Sequence, residues 1–242
     1  MSALAFLSRW HERLPGRCAV CASWPARPVC DACVARFAAP VPRCRTCAIA
    51  LPGNVDRCGE CLRHPPPLDA CLACCDYAWP WPGQIGRFKF RGEAGWAAPL
   101  ATLMRSTPWV EPTLEQADLV LPMPLSRERL KTRGFNQALE LARRLAPAGR
   151  LDARLLLRTR DTAPQSGLPR ARRLSNLRGA FALEPMRAAS AVRGRRVVLV
   201  DDVMTSGASL FAAAQVLRDA GAAHVAGIVF ARTERPGAAA PA

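Results

Sequence analysis

The sequence predicts an α/β protein, a parallel sheet flanked by helices, preceded by a small cysteine-rich module. Three observations predict it. All eleven cysteines lie before residue 76, and the first eight fall in four two-residue-spaced pairs before residue 62. A stiff His64-Pro65-Pro66-Pro67 run then marks a boundary. Beyond it, apolar segments alternate between strand and helix character, the pattern of a parallel sheet with helices on its faces.

The elements follow in order. Ala3, Leu4, Leu7, Trp10 and Leu14 fall at helical spacing and predict a short amphipathic helix within residues 1–17. The cysteine module spans 18–63. Cys71–Trp79 and Asp118–Leu121 read as strands, Ala138–Ala146 as a helix stopped by Pro147, and Leu155–Leu157 as a short strand. Arg195–Val200 runs into a β-branched stretch of the kind buried on both faces. Ser209–Ala220 follows as a helix closed by Gly221, and Val225–Phe230 as another strand. The second domain is therefore placed at 68–235, with a disordered Ala/Pro/Gly tail at 236–242.

The pairs are Cys18/Cys21, Cys30/Cys33, Cys44/Cys47 and Cys58/Cys61, separated by 8, 10 and 10 residues. Two-residue spacing lets both thiolates turn onto one ion, and two pairs complete a tetrahedral sulfur site with bonds of about 2.3 Å. Eight thiolates imply two structural zinc ions, with a redox dithiol role as the alternative. Sequential closure, 18/21 with 30/33 and 44/47 with 58/61, and a cross-braced arrangement both fit the spacing. So short and core-poor a segment folds around its metal. Cys71, Cys74 and Cys75 read as small buried apolar residues.

The net charge of +15 suits an acidic partner such as phosphate or nucleic acid. Only Lys89 and Lys131 are lysines, however, and an Ala- and Arg-heavy composition also arises from a GC-rich genome. No apolar run is long enough to span a membrane, and the first residues lack the form of a secretion signal, so a cytoplasmic location is expected. His11, His64 and His224 lie in no motif, and no Ser-His-Asp set is visible.

The sharpest chemistry lies in Val197–Ser209, VVLVDDVMTSGAS. Four apolar strand residues lead to two acids, Asp201 and Asp202, at the carboxyl end of a strand, where parallel sheets bind ligands. A carboxylate pair there can accept hydrogen bonds from vicinal ribose hydroxyls. Thr205, Ser206, Gly207, Ala208 and Ser209 supply hydroxyls and free amides at a helix start, a nest for a phosphate monoester. Acids and nest together match the two ends of a ribose 5-phosphate. A Walker B strand would need a GxxxxGK[ST] loop, which is absent. A receiver domain would place its acids on the first strand with a lysine downstream, and no lysine follows Asp202.

This stretch resembles the phosphoribosyl pyrophosphate motif of type I phosphoribosyltransferases. Tyr77–Gly92 (YAWPWPGQIGRFKFRG), Leu121–Leu125 (LPMPL), Arg127–Ala142 (RERLKTRGFNQALELA) and Thr162–Phe181 narrow the resemblance to the ComF family. Its members are zinc-ribbon phosphoribosyltransferase-like proteins associated with competence and DNA uptake. Ser206 and Ser209 stand where many members have threonine, which keeps the hydroxyls. The resemblance implies a type I phosphoribosyltransferase-like parallel sheet flanked by helices, preceded by a zinc-ribbon domain. It also implies that Asp201 and Asp202 hold the ribose hydroxyls and Thr205–Ser209 the 5-phosphate. Pro122, Met123, Pro124 and Leu125 would form the pyrophosphate-side loop, and Mg²⁺ would bridge pyrophosphate and ribose oxygens.

Arg127, Arg129, Lys131 and Arg133 precede Gly134 as a candidate flap over pyrophosphate, and Arg170, Arg172, Arg173 and Arg178 form a second basic cluster. Their alternative is an ordinary solvated face. Asp202 is the candidate base. Trp79 and Trp81, beside Gln84, Arg87 and Lys89, either stack a base, as suits single-stranded DNA, or pack between the two domains. Two functions are expected: transfer of phosphoribose from the pyrophosphate donor to an acceptor, or non-catalytic single-stranded DNA binding with the donor site kept as sensor or relic. Other DNA-uptake proteins are possible partners under the second.

Overall fold

The structure, a computed structural model, describes residues 16–26, 28–53, 55–160 and 179–234. The N-terminal helix, the Arg170–Arg178 cluster and the 236–242 tail fall outside them, apart from the last residues of the 1–17 segment. The chain divides into two compact units, Met1–Ala39 and Pro40–Ala242. Sequence places the boundary later, at the proline run; contacts place the second cysteine tetrad with the sheet.

Four parallel strands form the main sheet, in the order β1-β4-β3-β2 once the core strands are named β1 (Ala70–Asp76), β2 (Leu119–Pro122), β3 (Arg196–Met204) and β4 (His224–Arg232). A separate antiparallel pair joins Leu156–Arg158 to Phe181–Leu183. β3 is central, and Val197–Val200 are buried on both faces, as the β-branched run requires. It continues past Val200 through both acids to Met204, so the acids belong to the strand and not to the loop after it.

Side-chain alternation along β4 sorts the layers. Gly227 faces the helix Ala208–Asp219: a Cβ there would lie 2.5 Å from Leu210 Cδ2, so any larger residue would have to displace that leucine. Val225 and Val229 share that face and join one buried cluster with Leu210, Leu217, Phe181 and, at its end, Cys44, Cys47, Cys58 and Cys61. On the opposite face Phe230 meets Trp81 edge-on, with ring centroids 5.2 Å apart.

Trp81 opens the helix Trp81–Phe90, whose buried residues Trp81, Gln84, Ile85 and Phe88 recur at i, i+3, i+4 and i+7. The helices Ala97–Arg105 and Gln137–Leu145 pack on each other and on this face. Trp81 is 1% exposed and is therefore core, whereas Trp79 is 68% exposed. The expected interior positions of Cys71, Cys74 and Cys75 are observed. No helix among the described residues is long and apolar enough to cross a membrane.

Trp81→Ala should cost about 3–5 kcal/mol of stability, the usual penalty for emptying a buried aromatic site. Urea unfolding would read it, and a loss below about 1 kcal/mol would place the indole outside the core.

Candidate functional site

The central strand delivers both acids to the carboxyl end of the sheet, where the chain turns through Thr205–Gly207 into the helix Ala208–Asp219. Gly207, at φ +81, is the turning point. A Cβ there would come within 2.4 Å of Met204 Cε and 2.8 Å of the Phe211 ring, so glycine is required by space as well as by dihedral. Ser206 Oγ accepts from the Ala208 amide at 3.3 Å and thereby caps the turn.

A cavity of about 210 Å³ opens here, lined among others by Asp201, Asp202, Thr205, Ser209, Lys89, Arg129, Arg133 and Arg158. Lys89 Nζ lies 2.8 Å from Asp202 Oδ1, and both side chains are largely buried. Asp201 Oδ1 accepts from the Asp202 amide at 2.9 Å. Burial, and then the Asp202 charge, push the Asp201 carboxyl up to about 7, against the pull of Lys89 and Arg133. Burial also lowers the Arg133 guanidinium from its ordinary value, while Asp202 acts in the opposite sense.

The segment read as a flap is a short capped helix, Arg127–Arg133, with Ser126 accepting from the Arg129 amide and Gly134 ending it in the left-handed region. Arg129 and Arg133, four residues apart, share the face that lines the cavity; Arg127 and Lys131 are exposed and do not line it. Arg133 is braced by Gln137 Oε1 at 3.0 Å and lies over the Phe90 ring at 5.2 Å. Asn136 caps the helix Gln137–Leu145 and donates to the Met123 carbonyl at 3.1 Å. The RGFNQ segment therefore fixes the loop after β2.

Of the residues expected at the donor site, Asp201, Asp202, Thr205, Ser209, Met123, Pro124, Leu125 and Arg133 line the cavity. Pro122 ends β2 inside the core, and Ser206, Gly207 and Ala208 shape the turn without lining the cavity. Arg158 carried no sequence signal. Lys89 was visible as a cation beside tryptophans, but nothing local ties it to an acid 113 residues away.

The cysteines form two tetrads, Cys18/Cys21/Cys30/Cys33 and Cys44/Cys47/Cys58/Cys61, with all four sulfurs of each within 4.8 Å of one another. This is the sequential closure. The two are built alike. In each, the amide after the first knuckle bonds back to its first cysteine, Ala22 to Cys18 and Ala48 to Cys44, both at 2.8 Å. Those alanines adopt positive φ, 60° and 55°. The second pair sits at the N-cap and third position of a short helix, Asp31–Phe37 in one and Gly59–Arg63 in the other. Its first amide donates to the opening thiolate, Cys30 to Cys18 at 3.4 Å and Cys58 to Cys44 at 3.3 Å.

Sulfur separations of 3.6 Å for Cys21–Cys30 and 3.7 Å for Cys47–Cys58 match the roughly 3.8 Å edge of a tetrahedron with bonds of about 2.3 Å. Each tetrad can hold a zinc ion.

Comparison with known proteins agrees with this architecture. The "Phosphoribosyl transferase domain" family matches residues 130–240. The chain is 32% identical to the "DNA utilization protein YhgH" of Escherichia coli O6:H1 over 88% of this chain and 95% of that one. This chain belongs to the ComF family. Other relatives are "Competence protein F" of Haemophilus influenzae, 31% identical over 76% of this chain and 82% of that protein, and "Competence protein ComFC" of Bacillus subtilis, 32% identical over 57% and 54%. Most of the cavity's lining in this ComF-family chain, including both acids, falls within the residues matched by the phosphoribosyl transferase domain, and the two cysteine tetrads that can hold zinc precede them in sequence.

The Asp201 carboxyl generates a pH signature. Folded, it keeps its proton up to about 7; unfolded, it releases it near its ordinary value of 3.8. The folded state binds the extra proton between those limits, so this group's contribution to stability falls as pH rises through the window. Asp201→Asn removes the slope. Its thermal midpoint should match wild type near pH 4 and exceed it by about a few degrees at pH 8. Parallel pH profiles for the two proteins would show that the carboxyl titrates normally.

Proposed function

We propose that this chain binds phosphoribosyl pyrophosphate, with Mg²⁺, in the cavity at the carboxyl end of the sheet and transfers its phosphoribosyl group to an acceptor. The observation that carries the reading is convergence on one cavity of two acids, the start of a twelve-residue helix and three arginines. Asp201 and Asp202 accept hydrogen bonds from the ribose hydroxyls. The Thr205–Ser209 turn receives the 5-phosphate through Thr205 and Ser209, which line the cavity at the helix start, a placement suited to a helix N-terminus. Arg129, Arg133 and Arg158, with the Met123–Leu125 loop, face the pyrophosphate.

The bond from the anomeric carbon to pyrophosphate breaks, its electron pair leaving on the pyrophosphate oxygen, while an acceptor lone pair forms the new bond. The arginines stabilise the departing charge, and catalysis is mainly positioning and electrostatics. The acceptor's proton needs a base. Asp202 is engaged by Lys89, so Asp201, with its carboxyl near 7, is the better placed. Mg²⁺, when bound, supplies positive charge to the pyrophosphate, and carboxylate oxygens suit its preference for hard donors. Two structural zinc ions hold the cysteine tetrads, one each.

Calorimetric titration of zinc-loaded protein with phosphoribosyl pyrophosphate and Mg²⁺ tests the reading. Saturable binding, weakened at least about tenfold in the Asp201→Asn/Asp202→Asn variant, is expected. Absence of binding in the wild type would remove the donor site from the account.

The relatives' names, DNA utilization and competence proteins, favour a second reading: a protein that binds single-stranded DNA and keeps the donor site as sensor or relic. Several arginine–phosphate contacts would make affinity for an oligonucleotide fall steeply, by about a hundredfold or more, between 50 and 200 mM salt. A flat salt dependence would discard this reading.

A further inference from the structure

We propose that Arg232 is a positioning residue that makes the second cysteine tetrad part of the phosphate-binding machinery. The inference rests on the reading of the cavity as a phosphoribosyl pyrophosphate site. Arg232 closes β4 between β1 and β3, where it pairs in register with Asp76 and Met204. It is 4% exposed. Its guanidinium donates on one side to the Cys47 carbonyl, 2.8 Å from Nε. On the other side Nη1 donates to the carbonyls of Met204, at 3.1 Å, Thr205 and Thr233, at 2.7 Å. Cys47 is a tetrad cysteine, and Met204 and Thr205 are the residues from which the phosphate turn springs.

The bridge is reinforced on both sides. The Arg45 carbonyl, inside the Cys44–Cys47 knuckle, accepts from the Cys71 amide of β1 at 2.7 Å. Cys71 Sγ in turn lies 3.6 Å from Met204 Sδ, beside the turn. Arg43, just before the knuckle, holds Asp76 at 2.7 Å and the Ala48 carbonyl at 3.2 Å. A planar fork with several fixed donors can tie carbonyls from two separate segments at once; an ammonium on a flexible stem cannot reproduce that geometry. Because Arg232 holds the carbonyls of Met204 and Thr205, the turn that leads into the helix is fixed at its root. When a metal fixes Cys47, its carbonyl is fixed with it, and the phosphate turn inherits that rigidity.

The test uses full-length, zinc-loaded wild type, Arg232→Lys and Arg232→Gln. Amide hydrogen exchange is read separately over Thr205–Ser209 and over Val197–Val200, and phosphoribosyl pyrophosphate affinity is read by calorimetry. Both variants should lose protection at Thr205–Ser209 with Val197–Val200 unchanged, and should bind the donor at least about tenfold more weakly. Retained protection and affinity in Arg232→Lys would make charge alone the relevant property and overturn the proposal. Equal loss over both segments would make Arg232 merely structural and overturn it as well.

Stripping the wild type of metal with a chelator should reproduce the loss at Thr205–Ser209, and zinc should restore it; a turn indifferent to the metal contradicts the coupling. The exchange readout is independent of ligand. Wild type that fails to bind the donor, yet shows the selective exchange change, overturns the donor-site reading and leaves the coupling intact.

Discussion

Two carboxylates stand side by side at the end of a strand that is buried on both faces, and the architecture around them answers that charge. Adjacent acids in a low-dielectric setting repel each other and lose solvation, which is why Asp201 is driven up to about 7. Lys89 reaches Asp202 from the helix Trp81–Phe90, anchored by Trp81 and Phe88, and Arg133 comes from a helix braced by Gln137. The cations that balance the acids thus hang from elements on the sheet's other strands and helices. A ligand entering the cavity meets charges already placed, which lowers the reorganisation that binding or reaction requires.

The cysteine tetrads show a second use of the same economy of parts. Both have one construction, a knuckle with a left-handed alanine followed by a short helix that supplies the remaining pair. Their surroundings differ. The first has an exposed cysteine, Cys21, and belongs to the small unit, whereas all four cysteines of the second are buried and share a cluster with Leu68, Cys71 and Val229. A metal in the second tetrad therefore stabilises the core of the larger unit as well as its own loops. The Arg232 fork joins Cys47 of that tetrad to the turn at Met204 and Thr205.

Much of this was legible in the sequence because it is local. Spacing gave the cysteine pairs, and β-branching gave the central strand. Small residues after two acids gave the turn, and the ComF resemblance assembled these pieces. What escaped depends on contacts between distant segments. Arg129 and Arg133 share one helix face, but which face meets the cavity is set by packing, so Arg127 and Lys131 looked equivalent. Trp81 and Trp79 are two residues apart in sequence; the start of a helix sends one into the core and leaves the other outside. The second tetrad read as part of a separate ribbon because its attachment to the sheet runs through Cys71, Asp76 and Arg232, which periodicity does not connect.

The same long-range contacts change the meaning of the +15 charge. Many of the arginines are bound into the fold. Arg150 holds the carbonyls of Glu115 and Ala117 at 2.5 and 2.7 Å, closing one helix end, and Arg105 holds those of Arg144 and Leu145 at 3.0 and 2.8 Å, closing another. Cations are favoured at helix carboxyl ends, where backbone carbonyls lack partners. Arg218 pairs with Asp69, Arg43 with Asp76 and Arg187 with Asp152. A guanidinium bound to carbonyls keeps its charge but has fewer donors left for a phosphate backbone, and its position is dictated by the fold. Arginines facing the cavity differ in kind, since Arg129, Arg133 and Arg158 converge on one small volume beside two acids. Such convergence suits a compact polyphosphate ligand better than an extended strand, which draws on cations spaced along a groove. Net charge alone therefore overstates the case for nucleic acid, and the placement of a few guanidinium groups favours the phosphoribosyl donor.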